Sequence, residues 1–568
     1  MKKINFMTKK DYICMGILTF VFTVLVFIRI GNTYAPQTTY TATSENRDIV
    51  LDLGDYKDLG SIHIFLGNLN TRRFSISAFD ESTGSWMVIN GDAVAESVFA
   101  WNRIDVNMNL RYLGIVALDD TCVLNEMVLT APDGTVLSPI IDSRYEALFD
   151  EQEMYPEVKT YLTGTMFDEV YHGRTAYEFL HKLVTYETTH PQLGKVLIAL
   201  GVRIFGMTPF GWRFMSALFG ILLVPLMYLF AKRLFGNTYI ATATTMLVTF
   251  DCMHFTLSRI ATIDIFVAFF IVLAYYYLYR YFLADMDYRQ GGTSLTDKFP
   301  PRSVYVLLAL CGLGMSCAIA TKLTGVYAAA GLAVLFFWYT ITHFPKQQTL
   351  RLFLFCCVFF VVLPLVLYTL AYIPVVGADG YHGLIDKTIK NTQYMLWYHS
   401  TLKAEHYYSS PFYEWPVIWM PLLYANDAVN ATDVSAVSCM GNPAIWWMGI
   451  PCVLFTFYRW LGKKDKNAGF LCIAYLAQYL PWVIMGLSGG RITFIYHYFP
   501  SILFTMLMMG YTMKYLIEKM PRTKKAITVY LVIACLCFFV FYPLVSGIPA
   551  NREYGMKLRL LKDWILVL

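Results

Sequence analysis

Leu257-Ser258-Arg259-Ile260-Ala261-Thr262-Ile263-Asp264 puts an arginine and an aspartate between two apolar runs, near 239–256 and 262–283. A helix needs roughly 20 apolar residues to cross a hydrocarbon core, so both runs read as spans and the charges lie at their shared boundary. Charges at such a depth cost about 3 kcal/mol each unless paired or functional. Outward from this turn, further runs fall near 12–30, 210–231, 304–320, 324–342, 350–373, 443–460, 469–487, 494–516 and 526–546. That makes eleven expected spans. The apolar stretch 193–206 is too short to cross and reads as a helix lying at the interface. The 568 residues are 57% hydrophobic and 15% charged, against about 45–50% and 25% in soluble domains. The expected architecture is a polytopic α-helical membrane protein.

Lysine and arginine counts orient the spans. With the amino terminus inside, twenty-one cations fall on inward segments, and the short outward turns hold only Arg259, Lys322 and Arg491. The long segments 31–209 and 374–442 then lie outside, as does the carboxyl terminus, although Arg552, Lys557, Arg559 and Lys562 in the tail run against the charge rule. The net charge of +5 belongs to the inward loops and gives no reason to expect nucleic acid. Twelve cysteines lie mostly within spans and show no metal-ligand spacing. Cys122 and Cys439 lie outside, with nothing in their spacing to pair them. The first apolar run has a basic flank but no clear cleavage site, so residues 1–37 read as a retained anchor.

Residues 38–145 change character. Alternating runs near 49–53, 61–66, 73–79, 98–106, 111–118 and 124–129, separated by turns such as Pro132-Asp133-Gly134, predict an extracytoplasmic β-sandwich. The order of these signals resembles the discoidin or galactose-binding-like sandwich. Glycan binding, spacing and docking are all open to it. The remainder, 146–568, reads as the membrane domain, with outer segments 146–209 and 374–442.

Chemistry-bearing residues gather on the outward face. Phe167-Asp168-Glu169-Val170 offers two adjacent carboxylates, and His190-Pro191-Gln192-Leu193-Gly194-Lys195 follows before the short helix. Transfer of a sugar from a lipid phosphate needs a base for the acceptor hydroxyl and cations for the departing phosphate. Adjacent carboxylates cannot both aim at one atom, so one acts and the other orients. The plainer readings are a solvated acidic pair, an Arg259–Asp264 ion pair between two helices, and snorkelling of each isolated cation.

The motifs together resemble the protein O-mannosyltransferases. Those carrying the resemblance are Asp168-Glu169, His190 through Lys195, Gly211-Trp212-Arg213-Phe214, Ser258-Arg259 with Asp264, and Lys322-Leu323-Thr324-Gly325. Glu405-His406-Tyr407-Tyr408-Ser409-Ser410-Pro411, Glu414-Trp415-Pro416, Gly441-Asn442-Pro443 and the stretch from Arg491 through His497 to Pro500 continue it. The resemblance implies the type C glycosyltransferase fold, a polyprenyl-phosphate-mannose donor, and Ser or Thr hydroxyls of an exported protein as acceptor. It implies Asp168 as catalytic base and Glu169 as its acceptor-site partner. Arg259 would anchor the donor phosphate, with Arg213, Lys322, His406, Arg491 and His497 as further donor contacts and Asp264, His190 and Lys195 in support. No metal and no cofactor is expected. The implied setting is a multi-pass protein of the plasma membrane with an extracytoplasmic site, and a dimer is left open. Segment 374–442 is too short for the β-trefoil of eukaryotic relatives, the sandwich is additional, and Gln192 stands where the family has a second proline. Rival readings are the same donor chemistry on a lipid or cell-wall glycan, a glycolipid transporter, and a membrane-anchored glycan receptor. No internal repeat favours a transporter, and a receptor needs only one span.

Overall fold

The computed structural model describes residues 6–69, 71–290, 302–343, 346–402, 404–489 and 492–568. Two compact units emerge. One comprises residues 30–181 and 199–212, the other 1–29, 182–198 and 213–568. The first unit therefore runs beyond the expected boundary at 145 and takes in the acidic pair.

Its centre is a seven-stranded antiparallel sheet: β1 (Tyr40–Thr43), β2 (Asp48–Leu66), β3 (Arg72–Asp80), β4 (Ser85–Ala95), β5 (Trp101–Ala117), β6 (Thr121–Thr130) and β7 (Val136–Leu137). The order is β1-β6-β2-β5-β3-β4, with β7 on β6. Four of the expected short strands are halves of two long ones, because β2 and β5 continue through register slips at Asp52/Lys57 and Leu59/Ser61. β4 was missed, its exposed face blurring the alternation. Bulges bend a strand and increase its twist. One half of β2 pairs with β6 and one half of β5 with β3, so both halves of the sheet are joined through these two long, curled strands. Ile49, Leu51, Ile62, Ile64, Phe74, Leu113 and Met127 share one buried cluster. Each contributes about 1.5–3 kcal/mol by leaving water.

A strap from 143 to 166 crosses this sheet and leads into α2 (Glu169–His181). Glu126, fully buried on β6, accepts from the backbone N–H of Glu151 (2.7 Å) and from Gln152 Nε2 (2.6 Å). Burial pushes the Glu126 carboxyl up to about 7. Farther along, Lys159 Nζ lies 2.8 Å from His63 Nδ1, and burial holds the imidazole down at about 3. A Cβ on Gly164 would come within 2.8 Å of Ala100 Cβ, so only glycine lets the strap lie this close to the sheet just ahead of the acidic pair.

The second unit is helical. In chain order come α1 (Lys9–Phe27), α3 (Leu193–Phe205) and α4 (Pro209–Phe235), the latter two beginning or ending in the other unit, then α5 (Thr238–Thr249), α6 (Cys252–Leu257), α7 (Asp264–Gln290), α8 (Arg302–Thr321) and α9 (Gly325–His343). Then follow α10 (Lys346–Cys357), α11 (Leu363–Ala371), α12 (Leu384–Thr401), α13 (Pro443–Lys463), α14 (Lys466–Leu487), α15 (Phe499–Lys519), α16 (Thr523–Ser546) and α17 (Arg552–Lys557). Eight of the described helices are long and apolar enough to cross a membrane. The expected short helix at 193–206 is α3. The span expected over 239–256 is broken into α5 and α6, because Asp251 caps a new helix by accepting from the His254 N–H at 3.0 Å. The run at 494–516 begins as a 3₁₀ turn, Ile495–Tyr498, before α15.

Segment 374–442 folds as α12, a 3₁₀ turn (Phe412–Val417) and the hairpin β8 (Leu422–Ala428) and β9 (Asp433–Cys439). Strand β10 (Ala550–Asn551) pairs with β9, and Trp564 Nε1 donates to the Ile418 carbonyl at 2.6 Å. The basic tail therefore leaves the bundle on the same side as this segment. Cys122 and Cys439 are both buried free thiols.

Candidate active site

Within the sheet-bearing unit, the acidic pair stands at the start of α2. Phe167 precedes it with φ +47°, a left-handed conformation that costs a residue other than glycine about 1–2 kcal/mol. Glu169 is fully buried, and its Oε2 accepts from the Met166 N–H (2.9 Å) while its own N–H donates to the Met166 carbonyl (3.0 Å). Glu169 thus closes the turn on itself. Asp168 is half-buried, and its carbonyl receives the N–H groups of Tyr171 and His172. Of the two residues, Asp168 is the less buried.

Within the helical unit, the His190 loop is organised around a buried ammonium. Lys195 is fully buried and forms an ion pair with Glu187. Its Nζ also donates to the Glu187 carbonyl (2.9 Å) and to Gln192 Oε1 (3.1 Å). Gln192 Nε2 in turn donates to the His190 carbonyl at 2.7 Å. The residue that departs from the family's second proline therefore carries two hydrogen bonds of this network. Gly194 permits the next contact, since a Cβ there would lie 2.6 Å from Ile263 Cγ2 and 3.2 Å from Thr321 Cγ2. Ile263 and Thr321 precede Asp264 and Lys322, so the loop packs directly beside those charges.

Lys322 Nζ bonds Asp264 Oδ1 at 2.7 Å and lies 5.3 Å from the centre of the Tyr496 ring. The ion pair anticipated between Arg259 and Asp264 is replaced by this one. Asp264 begins α7, whereas Arg259 turns the other way. Arg259 is 2% exposed. Its Nη1 donates to the carbonyls of Val26 (2.7 Å) and Ile28 (2.6 Å), and its Nη2 to those of Arg29 (2.8 Å) and Ser546 (2.9 Å). The last carbonyls of a helix lack intrahelical donors, and one guanidinium supplies them to the ends of α1 and α16 together. Those four bonds use all four hydrogens on its terminal nitrogens.

A cavity of 350 Å³ is lined by His190, Lys322, His399, His497, Tyr327 and Trp482, among others. His399 Nε2 donates to the Thr189 carbonyl at 2.7 Å, and its ring meets that of His190 edge-on at 5.2 Å. Burial holds the His190 imidazole below its ordinary range; the Glu187 hydrogen bond opposes this, while Lys322 and Lys195 push the same way. His190 is thus a neutral donor or acceptor beside two ammonium groups. His497 is buried, with Nδ1 3.0 Å from the Phe494 N–H nitrogen and its ring 4.4 Å from Trp482. A second, more open cavity of 780 Å³ shares Trp482 and Gly489 with the first and holds the exposed His406. Arg213 is fully buried in α4, and Arg491 lies outside the described residues.

The structure thus brings Lys322, His190, His497 and Asp264 together, with Lys195 supporting them from beneath. It does not gather Arg259 or His406 at that cavity. His399 and Trp482 were missed: His399 sits in an amphipathic helix without a motif, and Trp482 reads as one more apolar residue of a span.

A bundle of apolar helices with a cationic cavity at one end is the form of a membrane glycosyltransferase of the type C fold. Its architecture matches the Saccharomyces cerevisiae protein O-mannosyltransferase Pmt1-Pmt2 complex bound to the sugar donor, with a TM-score of 0.60 at 14% identity over 71% of this chain and 89% of that one. Residues 205–376 match the family profile described as dolichyl-phosphate-mannose-protein mannosyltransferase, and residues 384–564 that of the C-terminal four-span region of protein-O-mannosyltransferase. Curated relatives include the polyprenol-phosphate-mannose–protein mannosyltransferases of Mycobacterium tuberculosis and Mycolicibacterium smegmatis. They are 25% and 26% identical over 68% of this chain and 84% and 85% of their own lengths. The chain belongs to the protein O-mannosyltransferase family and is a multi-pass membrane protein.

Proposed function

We propose that this protein transfers mannose from a polyprenyl-phosphate carrier to Ser or Thr hydroxyls of exported proteins, at the outer face of the plasma membrane. The observation that carries the reading is the cavity at one end of an apolar bundle, where Lys322 and three histidines converge. A phosphate on a lipid needs that combination: cationic and N–H donors for its oxygens, with apolar walls nearby for its chain. In the proposed step, Asp168 accepts the proton of the acceptor hydroxyl as its oxygen attacks the anomeric carbon. The bond from that carbon to the phosphate oxygen breaks, and the electron pair leaves with the polyprenyl phosphate, whose charge Lys322 and His497 stabilise. A single displacement inverts the centre, so a β-linked donor gives an α-mannoside.

Asp168 is supported as base by being half-buried, beside a Glu169 that is fully buried and engaged in its own turn. Lys322 is better suited than Arg259 to meet the phosphate, since Arg259 spends its terminal hydrogens on carbonyls. Arg213, His406 and Arg491 stand as further donor contacts on the family resemblance alone. The yeast Pmt1-Pmt2 complex makes a dimer worth testing here. The deciding assay incubates purified protein in lipid with polyprenyl-phosphate-mannose and Ser/Thr peptides and follows a one-hexose mass gain. Asp168→Asn should lower turnover by at least about 1,000-fold with donor affinity retained, whereas Lys322→Met should weaken donor binding about ten-fold or more. Wild-type turnover by Asp168→Asn refutes the assignment.

A further inference from the structure

The cationic cavity lies at one end of a seam formed by α7, α9 and α14: Tyr327 near the start of α9 and Trp482 near the end of α14 line it, and Asp264 at the start of α7 pairs with its Lys322. The same three helices part again at their opposite ends. There, a second 350 Å³ cleft is walled by Phe282 and Leu283 of α7, Leu335 and Trp338 of α9, and Phe470 of α14, with Lys466 at its rim. Between the two openings the helices touch. A Cβ on Gly331 of α9 would lie 2.1 Å from Tyr275 Oη of α7 and 2.4 Å from Ala477 Cβ of α14. Along this closed stretch, Val334 of α9 (55%) and Leu480 of α14 (45%) are exposed apolar side chains. From Trp482 to Phe470 is twelve residues of helix, about 18 Å.

We propose that this cleft seats the far end of the carrier's isoprenoid chain, making the seam a gauge of carrier length. The inference rests on the donor class proposed above. A lipid whose phosphate is held at Lys322 must lay its chain along the bundle, and burying the chain's end in an aromatic-walled cleft is favourable in proportion to the apolar surface removed from water or from loose lipid contact. Only a chain spanning about 18 Å beyond the phosphate site reaches the cleft. A shorter one leaves Phe282, Leu335 and Phe470 without that contact. The cleft is within the roughly 300–1,000 Å³ of small-molecule sites. Its place at the opposite end of the same three helices that frame the donor cavity is the argument for this occupant over a separate lipid of the inner leaflet held by Lys466.

The test compares mannosyl phosphates of a short and of a bilayer-length isoprenoid, using the full chain in lipid nanodiscs. Wild type should prefer the long carrier by about ten-fold in kcat/KM. Leu283→Trp, which fills the cleft, should lose that preference while keeping short-carrier transfer within about two-fold. An unchanged long-to-short ratio in the variant overturns the proposal. No transfer from either carrier by the wild type would instead count against the donor class. A second measurement needs no turnover: a photoreactive phenylalanine analogue installed at position 338 should capture long-chain polyprenyl phosphate. Capture of bulk phospholipid alone, with polyprenyl phosphate present, assigns the cleft to the inner-leaflet lipid and overturns the proposal.

Discussion

The Lys195–Glu187 pair allows the most exacting test of how the candidate site is built. Both side chains are buried, at 0% and 7% exposure. Beyond Lys195, Glu187 is met by the Thr189 N–H at 2.7 Å, the Thr189 hydroxyl and His190 Nδ1 at 3.3 Å. Lys195→Met keeps the volume and removes the charge, leaving a buried carboxylate short of its cation. Stranding one member of a buried pair costs about 3–5 kcal/mol, whereas neutralising both members is often close to neutral. Lys195→Met should therefore lower stability by about 3–5 kcal/mol, and adding Glu187→Gln should restore more than half of it. The remaining hydrogen bonds of the loop then become ordinary neutral ones worth about 1 kcal/mol each. Thermal unfolding of the four proteins in one detergent completes a double-mutant cycle. A loss under about 1 kcal/mol for Lys195→Met, or no recovery in the double variant, would refute the view that this ammonium organises the His190 loop.

Two further outcomes follow from groups away from the cavity. Arg259→Lys leaves at least one helix-end carbonyl without a donor, because an ammonium has three hydrogens for four acceptors. It should cost about 1–3 kcal/mol of stability while donor affinity stays within about two-fold; a large loss of donor affinity at unchanged stability would return Arg259 to the phosphate. Glu126 holds its proton more tightly in the folded sheet, at about 7, than in the unfolded chain, near 4.5. Its contribution is therefore fully present below about 4.5 and lost as the pH rises through about 7, a decline of about 1–2 kcal/mol after solvent screening. Glu126→Gln should flatten that part of the stability profile of the full chain, and an unchanged profile would show that another group carries it.

The division between what was legible in the chain and what was not follows the range of each interaction. Hydropathy, short-range alternation and the spacing of cations are local, and they sufficed for the membrane bundle, the β-rich insertion and the family motifs from Asp168 to His497. Partner choice is not local. Whether Asp264 meets Arg259, five residues before it, or Lys322, 58 positions away, depends on α7 and α8 lying side by side; the nearer partner was excluded because the ends of α1 and α16 claim its guanidinium. His399 entered the cavity the same way, through a bond to a carbonyl 210 positions earlier. Long strands through bulges and the break at Asp251 escaped notice because alternation and hydropathy both continue across them. The sequence by itself determined which segments are apolar, which are strand-forming and which residue types could do the chemistry. Only tertiary structure decided which charges meet, since the burial that makes a buried cation costly also forces it onto whichever acceptors the packed helices present.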